Sequence, residues 1–199
     1  MPEALILASG SPARARLLRN AGVIFTTMPA AIDEARIKTA LKREGTSVAD
    51  CALTLAAAKA AAFAGEHPAA LVIGADQMLS AGGDWFDKPC DRRQARLQLQ
   101  ALCGRAHELV TAACVMQGTA QLWHAVTSAR LTMRSFSDAF VEAYLDAEGE
   151  AVVGSVGAYR IEGRGAQLFR RVEGDHFTIQ GLPLLELLEF LRQRGAIPS

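Results

Sequence analysis

Two serines and an arginine near the start of the chain have the spacing of an anion-binding turn. Ser9, Ser11 and Arg14 belong to the stretch LILASGSPARARLL, which predicts a short strand, a tight turn and a helix. Pro12 suits the first helical position and Ser11 suits the N-cap. Unpaired N–H groups and the positive end of the helix dipole therefore meet at the turn, where the side chains add further donors. The stretch predicts a phosphate site, and an ordinary turn with solvated arginines is the alternative.

Two carboxylates and one lysine suit metal binding or catalysis. Asp76 follows the apolar run Leu71–Ala75, which predicts a buried central strand that ends at this acid, where α/β sheets bind their ligands. Glu34 lies in a predicted loop, as a metal ligand or as part of a helix start or solvated turn. Lys59 interrupts the alanine-rich helical run Ala56–Ala62, so it faces a cleft or keeps an apolar helix soluble. Exposure statistics alone favour the surface position for Lys59.

Strand and helix signals alternate along the rest of the chain, which indicates an α/β fold. Hairpins are predicted over Gln77–Phe86 and His107–Arg134, and they add antiparallel strands to the sheet. Lys88 follows the first hairpin, either as a loop lysine or as a second cation directed at the same cleft. The glycine-rich segment Gly154–Gly165 predicts strands or turns that approach a ligand. Further helices are predicted from start signals at Ser47, Asp91, Ser137 and Gly181.

Composition limits the classes of function. The chain has 199 residues, half of them hydrophobic, with no repeat or linker, which indicates one domain over residues 1–199. Its formal net charge is zero, so we expect neither nucleic acid nor an anionic membrane as a partner. No apolar run is long enough to span a bilayer, and no signal peptide is visible. The four cysteines lack zinc-site spacing, so reduced thiols in a cytoplasmic protein are expected.

Several short motifs, taken in order, carry a family resemblance. They read LASGSPARARLL, IDE, LAAAKA, GADQ, KP, GAYRIEGRGA and GLPL, and they cover essentially the whole chain. With them the chain resembles the Maf (septum formation protein) nucleotide pyrophosphatases. The resemblance implies an α/β fold with a mixed twisted sheet flanked by helices, and two lobes around a nucleotide-binding cleft. It also implies a homodimer that hydrolyses a nucleoside triphosphate to the monophosphate and pyrophosphate with Mg²⁺ or Mn²⁺.

The resemblance also implies roles for single residues. Phosphate binding falls on Ser9, Ser11 and Arg14, catalysis on Lys59, Asp76 and Lys88, and metal binding on Glu34 and Asp76. Asp76 is the expected proton acceptor. A water molecule that it orients, directly or through the metal, is expected to attack the α-phosphate.

Three specificity positions hold Ala13, Gln77 and Glu162. Gln77 and Glu162 resemble the family branch that acts on 7-methyl-GTP. Ala13 matches neither that branch, which has Trp there, nor the dTTP/UTP branch, which has Arg. Because a carboxylate favours a positively charged base, a modified purine such as 7-methyl-GTP is the expected substrate. The alternatives are a dTTP/UTP pyrophosphatase, a non-catalytic nucleotide-binding regulator of septum formation and, from the opening motif alone, a sugar-nucleotide transferase.

Overall fold

The strands of the computed structural model, which describes residues 4–198, form one mixed sheet. They are β1 (Leu5–Leu7), β2 (Thr26–Thr27), β3 (Leu71–Ala81), β4 (Asp84–Phe86), β5 (Ala106–Gln117), β6 (Ala120–Met133) and β7 (Phe169–Glu173). Their order is β2-β1-β3-β5-β6-β7, with β4 paired to β3. β1 pairs in parallel with β2 and β3, whereas β3–β4 and β6–β7 are antiparallel. The predicted mixed α/β fold is confirmed.

Helices form the second set of elements between residues 4 and 198. They are α1 (Pro12–Asn20), α2 (Glu34–Arg43), α3 (Val48–Ala64), α4 (Arg92–Leu102), α5 (Asp138–Glu148), α6 (His176–Ile179) and α7 (Leu184–Gln193). Backbone N–H groups in the first turns of α1, α3, α4 and α5 donate to the predicted N-cap side chains, which are Ser11, Ser47, Asp91 and Ser137. These caps satisfy donors that a helix leaves unpaired. In this part of the chain no helix has the length and apolar character needed to cross a membrane.

The structure decides the conformation of two segments that the sequence left open. Asp33 caps α2 by accepting a backbone hydrogen bond at 3.0 Å, so Glu34 occupies the first turn of a helix, where a carboxylate complements the dipole. The segment Gly154–Gly165 contains turns and short 3-10 segments, at Val156–Ala158 and from Arg164 onward, and no strand among these residues.

The strand predicted to end at Asp76 does not end there. β3 continues past this residue to Ala81. It lies beside β5 in the sheet, and its last residues pair with β4 in antiparallel register, with Leu79 opposite Phe86. The parallel pairing with β1 stops at Ile73, opposite Leu7, since the chain turns away after β1. Asp76 therefore lies inside β3, just beyond the parallel pairing, and the predicted strand end is wrong.

The chain divides into two compact units. The described residues of the first unit are 4–77, 111–127 and 181–198, and the second comprises 78–110 and 128–180. The first unit contains β1, β2, α1, α2, α3 and α7. The second contains α4 and α5, which contribute Leu99, Leu102, Val141 and Leu145 to its hydrophobic core. The single domain over residues 1–199 stays a prediction.

The cysteines are free thiols in the structure. Cys51 and Cys114 are buried, whereas Cys90 is exposed. Burial raises the pKa of the Cys114 thiol to about 11, so this side chain behaves as a small hydrophobic group at neutral pH.

The core of the second unit contains a buried histidine. His107 is 3% exposed, and its Nε2 lies 2.7 Å from the hydroxyl oxygen of Tyr159. Its ring also packs against Phe169, with the ring centroids 5.9 Å apart. Burial lowers the pKa of His107 to about 4, so the imidazole is neutral in the folded protein at pH 7.

We expect His107 to make the protein less stable in acid. The unfolded imidazole titrates near 6.5 and the folded one near 4, so the unfolded state binds more protons between these values. The contribution of the neutral His107 to the free energy of unfolding is therefore complete above about pH 6.5. As the pH falls to about 4, the free energy of unfolding decreases by roughly 3 kcal/mol. Thermal unfolding followed by circular dichroism measures the effect. His107→Gln is the reference because it keeps a partner for Tyr159 without a titrating ring, and parallel pH profiles for the two proteins would contradict the prediction.

Candidate functional site

The site is built on a close contact between α3 and β3. A Cβ atom built on Gly74 in β3 would clash with the carbonyl oxygen of Ala56 and lie 2.8 Å from the backbone nitrogen of Ala60. Glycine is therefore the residue that permits this approach of helix and strand. Ala56 and Ala60 are fully buried, and Lys59, which lies between them in α3, is held close to the sheet.

Lys59 contacts two carboxylates. Its Nζ lies 2.6 Å from Oδ1 of Asp76 and 2.8 Å from Oε1 of Glu34. Lys59 and Asp76 are 8% and 4% exposed, whereas the Glu34 side chain is 42% exposed. Burying an ammonium group costs free energy unless it is paired, and Asp76 supplies a buried partner. The surface position that exposure statistics favour for Lys59 is wrong, and the side chain points inward.

The turn before α1 presents hydrogen-bond donors. Ser9 Oγ accepts hydrogen bonds from the backbone N–H of Ser11 and from Nη1 of Arg14, both at 3.2 Å. Ser11 Oγ caps α1 by accepting from the backbone N–H of Arg14 at 3.4 Å. Each hydroxyl oxygen is thus used as an acceptor, which leaves its own proton for donation. With the helix N-terminus, these hydroxyls form a set of donors suited to an anionic oxygen.

Arg14 is buried beside this turn. It is 8% exposed, and its Nε donates a hydrogen bond to the carbonyl oxygen of Gly181 at 2.6 Å. Burial lowers the pKa of Arg14 from its ordinary value, while the nearby charges of Asp76 and Glu34 raise it. A guanidinium stays protonated in proteins. Arg14 and Lys59 therefore form one cluster of charges with the two carboxylates.

One oxygen of Asp76 lacks a partner. Its Oδ2 is buried and makes no hydrogen bond within residues 4–198. A buried oxygen without a partner is costly, so this atom suits a ligand such as a water molecule or a cation. With Glu34 it offers the hard oxygen donors that Mg²⁺ prefers. Over the same residues, no group of three or more His, Cys, Asp and Glu side chains is placed to hold a metal.

The predicted site residues are divided between the two units. Gln77 follows Asp76 in β3, and its Nε2 donates to Oγ1 of Thr111 at 2.9 Å. Lys88 and Glu162 belong to the second unit, where both are exposed. The first unit contains Ser9, Ser11, Ala13, Arg14, Glu34, Lys59, Asp76 and Gln77.

Some residues that shape the site were missed from the sequence. Gly74 permits the helix to approach, and its signal was a glycine inside an apolar strand, which marks close backbone contact. Gly181 holds Arg14, and its motif GLPL predicted only the start of a helix. Thr111 holds Gln77, and nothing in the local sequence marks it, because the contact depends on which strands are neighbours.

The site combines a mixed α/β sheet, a donor-rich turn at a helix N-terminus and a buried lysine–carboxylate pair. These features define an α/β protein suited to phosphorylated ligands. The family model described as "Maf-like protein" matches residues 4–194. The chain therefore belongs to the Maf-like protein family, and the resemblance drawn from its motifs is confirmed.

Curated relatives match this chain over their full length. A "Nucleoside triphosphate pyrophosphatase" of Paramagnetospirillum magneticum is 52% identical over 192 residues, which cover 96% of this chain and 99% of the relative. A "7-methyl-GTP pyrophosphatase" of Mesorhizobium japonicum is 48% identical over 197 residues, 99% of each chain. A solved nucleoside-triphosphatase (dITP/XTP pyrophosphatase) structure from Mycobacterium abscessus covers 98% of both chains with a TM-score of 0.40 and 15% identity, too weak a likeness to support a functional argument.

We expect Gly74→Ala to weaken the fold where the site is built. The added methyl group would clash with the backbone of α3, so the free energy of unfolding should fall by roughly 3 kcal/mol. Gly65→Ala is the matched control, because nothing lies within 4 Å of a Cβ atom there, and it should change stability by less than about 0.5 kcal/mol. Urea unfolding measures both variants. Equal losses would show that the close contact at Gly74 is not a constraint.

Proposed function

We propose that this chain is a nucleoside triphosphate pyrophosphatase, which converts a nucleoside triphosphate to the monophosphate and pyrophosphate. The observation that carries the proposal is the buried, unpaired Oδ2 of Asp76, whose other oxygen is paired with Lys59 and which lies within the electrostatic reach of Arg14. The names of the two full-length relatives support the same class of reaction.

In the proposed complex the phosphates bind at the turn before α1. The hydroxyl groups of Ser9 and Ser11 donate to phosphate oxygens, as do the N–H groups at the start of the helix. Arg14 and Lys59 supply positive charge, and hydrogen bonds from a charged donor to a phosphate are stronger than neutral ones. These donors are already ordered by contacts within the protein, so little rearrangement is needed when a triphosphate binds.

Asp76 is the proposed proton acceptor. Lys59 holds its Oδ1 at 2.6 Å, which leaves Oδ2 to orient a water molecule. The oxygen of that water attacks the α-phosphorus, and its proton passes to Oδ2. The bond from the α-phosphorus to the bridging oxygen breaks, and pyrophosphate leaves with the electron pair. Lys59 stabilises the negative charge that develops on the leaving group.

Glu34 and Asp76 are the residues proposed to hold Mg²⁺ or Mn²⁺. Mg²⁺ is commonly bound through one or two carboxylates, with water and substrate phosphates as the other ligands, so this small donor set fits. When bound, the cation would supply neutralisation of phosphate charge and a lowered pKa of a bound water.

A modified purine nucleotide such as 7-methyl-GTP is the proposed substrate. Gln77 and Glu162 match the corresponding family branch, and the relative from Mesorhizobium japonicum carries that substrate in its name. A dTTP/UTP pyrophosphatase is the alternative within the family. The catalytic role of Lys88, the homodimer and the cytoplasmic location stay predictions.

Pyrophosphate release tests the proposed reaction. With Mg²⁺ or Mn²⁺, the protein should release pyrophosphate most rapidly from 7-methyl-GTP in a panel with GTP, CTP, UTP, 5-methyl-UTP and dTTP. Asp76→Asn keeps the shape of the side chain but removes the proton acceptor, so kcat should fall by about a thousandfold. Steady-state kinetics on each nucleotide measure both effects.

Asp84→Asn is the matched control, since it makes the same change on an exposed aspartate at the start of β4. It should keep wild-type activity, and circular dichroism should show both variants folded. Near-normal turnover by Asp76→Asn would overturn the proposed mechanism. A preference for dTTP or UTP would leave the reaction class in place and replace the proposed substrate.

We expect Thr111 to affect base selection through Gln77. Thr111→Val keeps the shape of the buried side chain but removes the hydroxyl that accepts from Gln77. The KM of the preferred nucleotide should rise roughly fivefold with little change in kcat, because one hydrogen bond that orients the amide is lost. Thr111→Ser retains the hydroxyl and should behave like wild type. Equal changes for every base in the panel would contradict a role in specificity.

A further inference from the structure

The segment Gly181–Leu184, which carries the GLPL motif, has no part in the proposed reaction, yet it contacts the proposed phosphate-binding arginine. Nε of Arg14 donates to the carbonyl oxygen of Gly181 at 2.6 Å across 167 residues of sequence. We infer that the Gly181 carbonyl is a positioning group for Arg14, so the segment that precedes α7 is part of the phosphate site. The inference rests on the proposed function, since it takes Arg14 to bind phosphate.

The guanidinium of Arg14 is held through two of its nitrogens. Nε donates to Gly181 and Nη1 donates to Ser9 Oγ at 3.2 Å. Because the group is planar and rigid, two hydrogen bonds in different directions determine where its third nitrogen lies. Nη2 makes no hydrogen bond among residues 4–198. The two contacts therefore leave Nη2 as the donor for a phosphate oxygen.

Gly181 suits this position because of its backbone conformation and the space beside it. Its φ is +98°, which residues with a side chain adopt only with strain. A Cβ atom there would lie 3.2 Å from Nε and 3.4 Å from Nη2 of Arg14. A side chain would thus press on the same edge of the guanidinium that the carbonyl holds. Leu182 is fully buried, so the carbonyl belongs to an anchored segment.

A carbonyl is also the appropriate chemical partner for this arginine. Burial removes water from the guanidinium, and its donors then need other acceptors. The carbonyl of Gly181 accepts a hydrogen bond without adding a full negative charge. A carboxylate in the same place would neutralise Arg14 and compete with a phosphate. The observed contact therefore fixes the orientation of Arg14 and keeps its positive charge for an anion.

Gly181→Ala tests the inference, with Gly195→Ala as the matched control. Gly195 also has a positive φ, +69°, but nothing lies within 4 Å of a Cβ atom there. Both variants carry backbone strain, and only Gly181→Ala presses on Arg14. The KM of the preferred nucleotide should rise roughly tenfold more in Gly181→Ala than in Gly195→Ala, while kcat differs by less than about threefold. Equal KM values for the two variants would overturn the inference.

A double-mutant cycle distinguishes positioning from general structural damage. Arg14→Lys keeps the charge but lacks the forked geometry that bonds both Gly181 and Ser9. If Gly181 acts through Arg14, adding Gly181→Ala to Arg14→Lys should raise KM by less than about twofold. Effects that multiply fully would overturn the inference.

An ester substitution tests the same contact without adding a side chain. Replacing Leu182 by leucic acid, its α-hydroxy analogue, converts the preceding carbonyl into a weaker acceptor. Among residues 4–198 the Leu182 N–H donates no hydrogen bond, so its removal costs none there. The dissociation constant of inorganic pyrophosphate, measured by calorimetry, should rise roughly fivefold. An unchanged constant would overturn the inference even if Gly181→Ala fails to fold.

Calorimetry with pyrophosphate also separates this inference from the proposed function. If wild type binds pyrophosphate, the ester at Leu182 weakens that binding as predicted and no nucleotide is turned over, the positioning of Arg14 stands and the proposed reaction fails. If wild type turns over nucleotide while the two substitutions act independently, the proposed reaction stands and the role of Gly181 fails.

Discussion

The candidate site depends on the direct contact of α3 with β3 at Gly74, where no side chain separates the two backbones. This contact brings Lys59 to 2.6 Å from Asp76 in a region where both are nearly inaccessible. Removing two charges from water is costly, and the cost is recovered only when their geometry is well fixed. A helix packed rigidly on a strand provides that geometry. The close packing of small residues between α3 and β3 is therefore what places the two charges.

Without a ligand, the site has equal numbers of positively and negatively charged side chains. Arg14 and Lys59 are the cations, and Asp76 and Glu34 are the anions, close enough to raise the pKa of Arg14 against the effect of its burial. In the proposed complex, a triphosphate therefore meets a site without excess positive charge. Neutral donors, namely hydroxyl groups and backbone N–H groups at a helix start, then carry much of the binding. The same balance gives a reason for a divalent cation in the proposed complex, since it would offset the added phosphate charge.

Features that arise from a few neighbouring residues were predictable from the sequence. The N-cap at Ser11 is local, and so is the hairpin turn at Gly82 and Gly83, whose φ values are +62° and +90°. The hairpin over Gln77–Phe86 was predicted as well, but not that its first strand continues the buried strand without a break at Asp76. The direction of Lys59 was also hidden, since an alanine-rich helix has no clear apolar face. Its burial depends on the contact at Gly74, which lies outside the helix in the strand that follows it.

Both ends of the described chain contribute to the proposed phosphate site. The turn before α1 carries the donors, and the segment before α7 holds Arg14 through Gly181. Loop closure over such a separation must be compensated by the contacts that form afterwards. The buried residues Leu184, Leu187 and Leu191 of α7 provide apolar contacts of this kind. A ligand that binds Arg14 only in its held orientation would add to them, because binding to one state stabilises that state. The packing of α7 and the affinity for an anion are thereby coupled through a single carbonyl oxygen.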